Sequence, residues 1–582
     1  MPMQDASSIP RLRAHALNYA PAPSGSRAGL APLYDNKPFE IDSDGFLQSG
    51  QRAGGPYLCS LPTTDRNIAL DPESILIREE DDIKKKTGDI LCKAGISFRE
   101  IMLAGRLSKV NPEPATVPTI IVVANDGTAD KWRDVAKQIH ERVVKGDPEI
   151  SVEIISSNLA ESPCTHPVTN EEAEQWPDIR NAILDGFYFE EWTGLEFWKY
   201  GTCLFKDDNP TTIIVNIKLD SERQFDEDME KVSQILKRLG KEDFAVLFMK
   251  DEFRPYTLTH QSAPLFPLRN SSKEVLPGMC IGIRDSSATS ATLGGVVELQ
   301  MKGDSNWQRF YLTSFHSIYP TLPSQQDKLK KIPGAQDGLE RWKLNAPGFD
   351  DPLVRKVLQV DQPGLFDLKD AINRAACTGN ETRRAEHQKF LDDKSYHLGD
   401  VCAGSGLHRT RYREIRMADG SKENEVEKPC LMDWALIEVM KERQGSLEPF
   451  AYSDDWTGRG APFWTDMNTL PGNGKRLFNS GRKTGAAEGQ LGVLQTRMSE
   501  ISGTKGWTFL DVTYEYSLGG FEDRNFAGPG DAGSFITNNG EVAGMILGGY
   551  VRKGSYHFTF IKDVLDDIKE VTGADAVRLA VD

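Results

Sequence analysis

The chain has 582 residues, which at roughly 100–200 per domain accommodates three or four domains, or two with large insertions. A hydrophobic fraction of 39% with 9% aromatics supports packed cores and excludes wholesale disorder. Acidic residues outnumber basic ones by 86 to 69, and the net charge of −17 opposes binding to a phosphate backbone, so no nucleic-acid partner is expected.

Residues 1–52 are rich in Pro, Ser, Gly and Ala without sustained periodicity and read as a disordered tail; the stretch to Ala31 lacks the apolar core of a secretory signal. The charge run Arg78–Lys86 reads as a solvated helix face. A repeat follows. Thr119–Val123 has the character of a buried strand, Trp132, Val135, Ala136, Ile139 and Val143 recur at helical spacing, and a second strand lies near Ile150–Ile155. The pattern returns 93 residues later as Thr212–Val215, then Phe225, Met229, Val232, Leu236 and Leu239, then Phe244–Met249. Two such β-α-β units predict an α/β domain over 53–253. Between them Trp176, Phe187, Tyr188, Phe189, Trp192, Phe197 and Trp198 read as a core-forming helix and hairpin, with a partner-binding aromatic surface as the alternative.

Pro255, Pro264, Pro267 and Pro277 mark 254–276 as a linker. From 277 to 570 the chain changes to short β-like runs separated by Gly and Asn, which suggests a barrel or sandwich. A charged, partly helical insertion at about 322–398 interrupts them, and 571–582 reads as a C-terminal tail. The eight cysteines contain no CxxC pair, there is no Gly-rich phosphate loop and no metal-ligand cluster, so neither metal nor cofactor is expected. Reduced thiols and an intracellular, cytoplasmic location are the matching expectation. No apolar run nears the roughly 20 residues of a membrane-spanning helix.

Three motifs carry the chemistry. Tyr311–Ser317 is an apolar strand running into Thr-x-x-His at His316. Met432–Ile437 places Asp433 at the head of an otherwise apolar strand. Gly528–Phe535 holds Gly530-Asp531-Ala532-Gly533. Supporting motifs are Gly294–Leu299, Leu398–Gly406, Gly481–Gly485 and Gly540–Gly549.

In this order the motifs resemble those of trypsin-like serine proteases of the chymotrypsin fold, in particular the intracellular fungal kind, over residues 277–570. The resemblance implies a double β-barrel, so the fold class expected is multidomain α+β, with the α/β domain ahead of a chymotrypsin-like double barrel that carries the helical insertion. It implies a serine-type endopeptidase with a protein or peptide substrate. His316 is then the general base, Asp433 the group that fixes its tautomer, and Ala532 the nucleophile position. The amides of Gly530 and Ala532 form the oxyanion hole, and Asp531 braces their loop. Phe526, Gly544, Gly548 and Gly549 line the substrate cleft, and Phe526 supplies no carboxylate for a Lys or Arg side chain.

Ala532 departs from the family at the decisive position, because a methyl group cannot attack a carbonyl. Ser534 does not replace the missing nucleophile, since a shift of two residues moves the side chain several ångströms. The chain as written is therefore expected to be inactive. Intact His316, Asp433, Gly530, Asp531 and Gly533 favour a catalytic knockout of an active protease. The alternative is a natural pseudoprotease that serves as a protein-binding scaffold. The N-terminal domain carries no catalytic constellation and is expected to regulate the protease or recruit a protein partner.

Overall fold

The computed structural model describes residues 45–48, 52–59, 63–66, 74–108, 117–125, 128–156, 164–187, 191–201, 206–256, 258–259, 274–287, 289–377, 379–413, 427–447, 465–482, 484–502, 508–520, 526–538, 540–550 and 553–580. The expected tail up to residue 44 lies outside them, as do Tyr188, Phe189, Pro264, Pro267 and Lys483.

Both repeats form β-α-β units. In the first, Val117–Ala124 pairs in parallel with Ser151–Ser156, and the crossover helix Trp132–Arg142 buries Trp132, Val135, Ala136 and Ile139 against them. The unit is part of a six-stranded sheet that also contains Leu47–Gln48, Arg52–Gly55, Phe98–Ser108 and Thr63–Arg66. Glu153, buried on this sheet, lies between Arg52 (2.6 Å) and Arg106 (2.9 Å). Burial pushes its carboxyl up, but the two guanidinium groups outweigh burial and hold it at about 2.

In the second unit, Thr211–Ile217 pairs in parallel with Ala245–Lys250 across the helix Asp226–Arg238. Trp192–Gly201 adds antiparallel to Thr211–Ile217, and the helix Asn170–Gly186 begins on a Thr169/Glu172 capping box. Trp176, Trp192, Phe197 and Trp198 are all buried, and Phe187 is partly buried against the same core as Trp176, Trp192 and Phe197.

After residue 274 the pairing closes two rings. Phe535–Asn538, Arg476–Gly481, Gly485–Leu491, Thr508–Gly520, Ser555–Phe560 and Glu541–Tyr550 pair in that order, and the last returns to the first, so six antiparallel strands make a closed barrel. In the other ring, Cys280–Ile283, Gln359–Asp361, His397–Gly404, Ala435–Val439, Trp307–Thr313 and Gly295–Gln300 pair in turn. Gly278 N to Leu293 O (2.6 Å) and Leu293 N to Met279 O (2.8 Å) join its ends. Apolar residues of both rings fill the interiors.

Strand pairing draws the boundaries differently from the expected ones. The second β-α-β unit is built into the later barrel, because Leu195 and Gly194 pair with Thr496 and Arg497 of Gln495–Ser502, which pairs in turn with Thr508–Gly520. The expected linker, 254–276, includes Arg254 and Pro255 of the strand Phe253–Pro255, paired with Gly548–Tyr550, and Leu258–Thr259, paired with Thr289–Ser290. The expected insertion is split by the ring strand Gln359–Asp361, which leaves helical segments on either side. The expected C-terminal tail contains Ala576–Leu579, which pairs with Val297–Gln300. Among the described residues no helix is long and apolar enough to cross a membrane.

Candidate active site

Two neighbouring strands bring His316 and Asp433 together. Trp307–Thr313 and Ala435–Val439 run antiparallel with Thr313 opposite Ala435. The one-turn helix Phe315–Ile318 that follows Thr313 therefore stands beside the loop that precedes Ala435. One Asp433 oxygen accepts the backbone N–H of His316 at 2.9 Å, and the other bonds His316 Nδ1. With both carboxylate oxygens engaged, the imidazole has one orientation and its Nδ1 carries the shared proton. Asp433 is itself held from behind. Trp434 N–H donates to Ser405 Oγ (3.1 Å), and its indole N–H donates to Asp567 Oδ2 (2.8 Å) on the helix Ile561–Thr572.

His316 Nε2 is buried and makes no hydrogen bond among the described residues. A buried imidazole nitrogen without a partner costs stability, and such a group is a site expectation in its own right. The loop 530–533 packs against the strand end that leads to it. A Cβ on Gly533 would lie 2.6 Å from Thr313 Oγ1 and 2.9 Å from Ser314 N, which only glycine avoids. Gly533 also has a φ of +87° and Gly530 one of +112°, conformations that side chains rarely adopt. Thr292 fastens the same loop, with its N–H on Ala532 O (3.0 Å) and its hydroxyl on Gly530 O (2.8 Å).

Ala532 is fully buried in this loop. The N–H groups of Gly530 (2.6 Å) and Ala532 (3.3 Å) converge on one acceptor, the carbonyl oxygen of Tyr256. Asp531 accepts from Gly528 N (2.9 Å), Thr484 Oγ1 (3.0 Å) and Thr484 N (3.3 Å), so its brace comes from within the second barrel. Ser534 donates to buried Asn479 Oδ1 at 2.7 Å and is committed to the barrel wall.

The four expected cleft residues divide. Gly548 and Gly549 lie against the Phe253–Tyr256 segment: a Cβ on Gly548 would run into Arg254 O, and one on Gly549 would come within 2.6 Å of Tyr256 Oη. Phe526 is fully buried and packs on Tyr556 at 5.8 Å between ring centroids. A Cβ on Gly544 would instead meet the Phe558 ring and come within 2.5 Å of Thr559 O, because a register shift separates it from Gly548 along the strand.

Several residues with a part in this site carry no sequence signal: Tyr256, Thr292, Thr484 and Asn479. Of the other histidines, His140 and His387 are buried, and His140 Nε2 donates to Asp147 O (2.9 Å). His408 lies close enough to Asp433 to feel its charge, but burial and the cations Arg497 and Lys343 press its pKa down to about 4, so it is neutral at pH 7. A separate cluster, Asp285, Asp361 and His397, offers ligand atoms within 4.8 Å of one another. Its groups bond each other and their neighbours: His397 Nδ1 sits 2.8 Å from Asp361 Oδ1, and Tyr396 Oη donates to Asp285 at 3.1 Å.

No family model and no curated protein matches the sequence. Solved structures similar to this chain include Thermobifida fusca protease A, at 10% identity and a TM-score of 0.26, covering 53% of this chain and 100% of that one. A glutamic acid specific serine protease has 10% identity and a TM-score of 0.24 with the same coverage. Nocardiopsis protease has 11% identity and a TM-score of 0.24, again over 53% and 100%.

Proposed function

We propose that residues 274–580 are a chymotrypsin-like serine endopeptidase whose nucleophile position is occupied by Ala532. One observation carries the reading: His316 is clamped through Nδ1 and N–H by Asp433, its Nε2 stays buried and unbonded among the described residues, and the Gly530–Gly533 loop packs on Thr313 and Ser314 just before it in the chain. That is the arrangement a general base needs to take a proton from a hydroxyl at position 532. The two loop amides aimed at a single carbonyl supply what a developing oxyanion needs. As written, the chain lacks the attacking atom and has no peptidase activity. Ala532 itself favours the second reading, a natural pseudoprotease scaffold. The intact support around the position favours a knockout of an active enzyme.

The strands Trp192–Gly201, Thr211–Ile217 and Ala245–Lys250 are continuous with the second barrel, which supports a regulatory or recruiting role for the N-terminal region. The protease works on protein or peptide substrates inside the cell. The test is peptide hydrolysis by the full-length Ala532→Ser protein against a broad peptide library. Hydrolysis by that variant and none by the Ala532 chain is the expected result. No hydrolysis by either leaves the scaffold.

A further inference from the structure

We propose that the chain carries its own substrate: Phe253–Tyr256 fills the cleft, and the peptide bond following Tyr256 is cut in cis once a nucleophile is present at position 532. The proposal rests on the peptidase reading above and adds to it the site of cleavage and the side-chain class accepted.

Four observations place the segment. Phe253, Arg254 and Pro255 pair antiparallel with Tyr550, Gly549 and Gly548, and Tyr256 N–H continues the ladder to Leu547 O at 3.3 Å. Strand addition of this kind is how a groove holds an extended peptide. The Tyr256 carbonyl oxygen, at the end of that ladder, accepts both loop amides, from Gly530 at 2.6 Å and Ala532 at 3.3 Å. A carbonyl gripped by two fixed donors is the one whose oxygen can take up negative charge at least cost. The Tyr256 ring is 1% exposed and sits against Tyr556, 6.2 Å between centroids, with Phe526 beyond it. Burial there, reinforced by the charges of Asp251 and Asp531, raises the phenol pKa, so the ring enters as a neutral aromatic. Beyond the carbonyl, Leu258 and Thr259 pair with Ser290 and Thr289, next to the Thr292 that fastens the loop. The two barrels thus hold one segment on either side of one carbonyl.

The segment is also delivered by the fold. It begins three residues after the end of the strand Ala245–Lys250, and Asp251 N–H bonds Ile217 O at 3.0 Å. Holding the reacting carbonyl in place in this way replaces a bimolecular encounter with a unimolecular step.

The chemistry balances with water as co-reactant. In the Ala532→Ser protein the introduced hydroxyl attacks the Tyr256 carbonyl carbon and passes its proton to His316 Nε2. The C–N bond to Thr257 breaks, and the proton moves from His316 to the leaving amine. Water then hydrolyses the ester through the same imidazole. One water is consumed, and one carboxylate and one amine appear. With Ala532 no bond forms and the segment remains as a plug.

The experiment is intact mass spectrometry of the full-length Ala532→Ser protein under denaturing conditions, with fluorophosphonate labelling alongside. We expect fragments 1–256 and 257–582, formed at a first-order rate unchanged by hundredfold dilution, while the Ala532 chain stays whole. Adding Tyr256→Phe preserves the cut, and adding Tyr256→Asp abolishes it. Labelling at position 532 with the bond after Tyr256 intact overturns the proposal and leaves the peptidase reading standing. A rate that falls with dilution overturns cleavage in cis, and neither labelling nor cleavage overturns both. A second measurement needs no active variant. In the Ala532 chain the Gly530 and Ala532 amides should exchange slowly with solvent, and Tyr256→Asp should speed them at least tenfold; fast exchange in the unsubstituted chain overturns the proposal.

Discussion

Lys553→Met tests how the N-terminal strands are locked to the second barrel. Lys553 is fully buried, with Nζ 2.6 Å from Glu196 Oε2 and 3.8 Å from Asp251 Oδ2, and it lies 3.8 Å from the Tyr550 ring centroid. Burial raises the Glu196 carboxyl's pKa, but Lys553 and His557 outweigh it and hold the group ionised far below the usual carboxylate range. Methionine keeps the aliphatic stem and removes the charge, which leaves Glu196 as a buried anion. Losing one partner of a buried pair costs about 3–5 kcal/mol. Glu196 keeps hydrogen bonds from Asn216 Nδ2 (3.1 Å), Ser555 Oγ (2.5 Å) and His557 Nε2 (3.1 Å), so the lower end, about 3 kcal/mol, applies. Hydrogen exchange of the amides in Thr211–Ile217 and Ala245–Lys250, followed with urea, reads the loss locally. The double variant Glu196→Gln/Lys553→Met should recover most of it, because the stranded charge is gone. A single-variant loss below about 1 kcal/mol, or a double variant no better than the single, would refute this account of the network.

Two further outcomes follow from buried or crowded positions. Glu153 is held at about 2 against an ordinary 4.5, so its ion pairs contribute about 3 kcal/mol that is present in full above pH 4.5 and lost as pH falls toward 2. An acid titration of the first sheet's exchange rates should show this, and Glu153→Gln should flatten it. Gly533→Ala forces a side chain into a φ of +87° and within 2.6 Å of Thr292 O, costing about 1–2 kcal/mol for conformation alone and more for the clash; an unchanged melting temperature would contradict the packing of the loop on the first barrel.

The parts of the site that sequence reveals are those fixed by a short offset from a strand. His316 lies three residues past the end of Trp307–Thr313 and Asp433 two before Ala435–Val439, so an apolar run with one polar residue at its edge marks each. The Gly530–Gly533 loop is legible because positive φ and close approach demand glycine at fixed positions. The strand that pairs with Gly548–Tyr550 is not legible. Phe253–Pro255 is three residues long, contains a proline, and owes its conformation to Gly548–Tyr550, almost 300 residues away, so nothing local marks it. The same holds for the joint between Trp192–Gly201 and Gln495–Ser502, where each strand has a sound periodicity but the partner is set by tertiary packing. A bulge between Ile546 and Gly548 breaks the alternation along this strand, so Gly544 lies against Phe558 while Gly548 and Gly549 lie against Phe253–Tyr256, which the glycine pattern alone does not reveal.

The most direct test of the central claim is to map where a fluorophosphonate attaches. The full-length Ala532→Ser protein, its His316→Ala derivative and its Ser534→Ala derivative would be labelled side by side and the modified residue identified by peptide mass spectrometry. The account predicts a single adduct at position 532, lost or slowed by about 10³-fold or more without His316 and unchanged without Ser534. An adduct on Ser534, or labelling at position 532 that does not depend on His316, would contradict it.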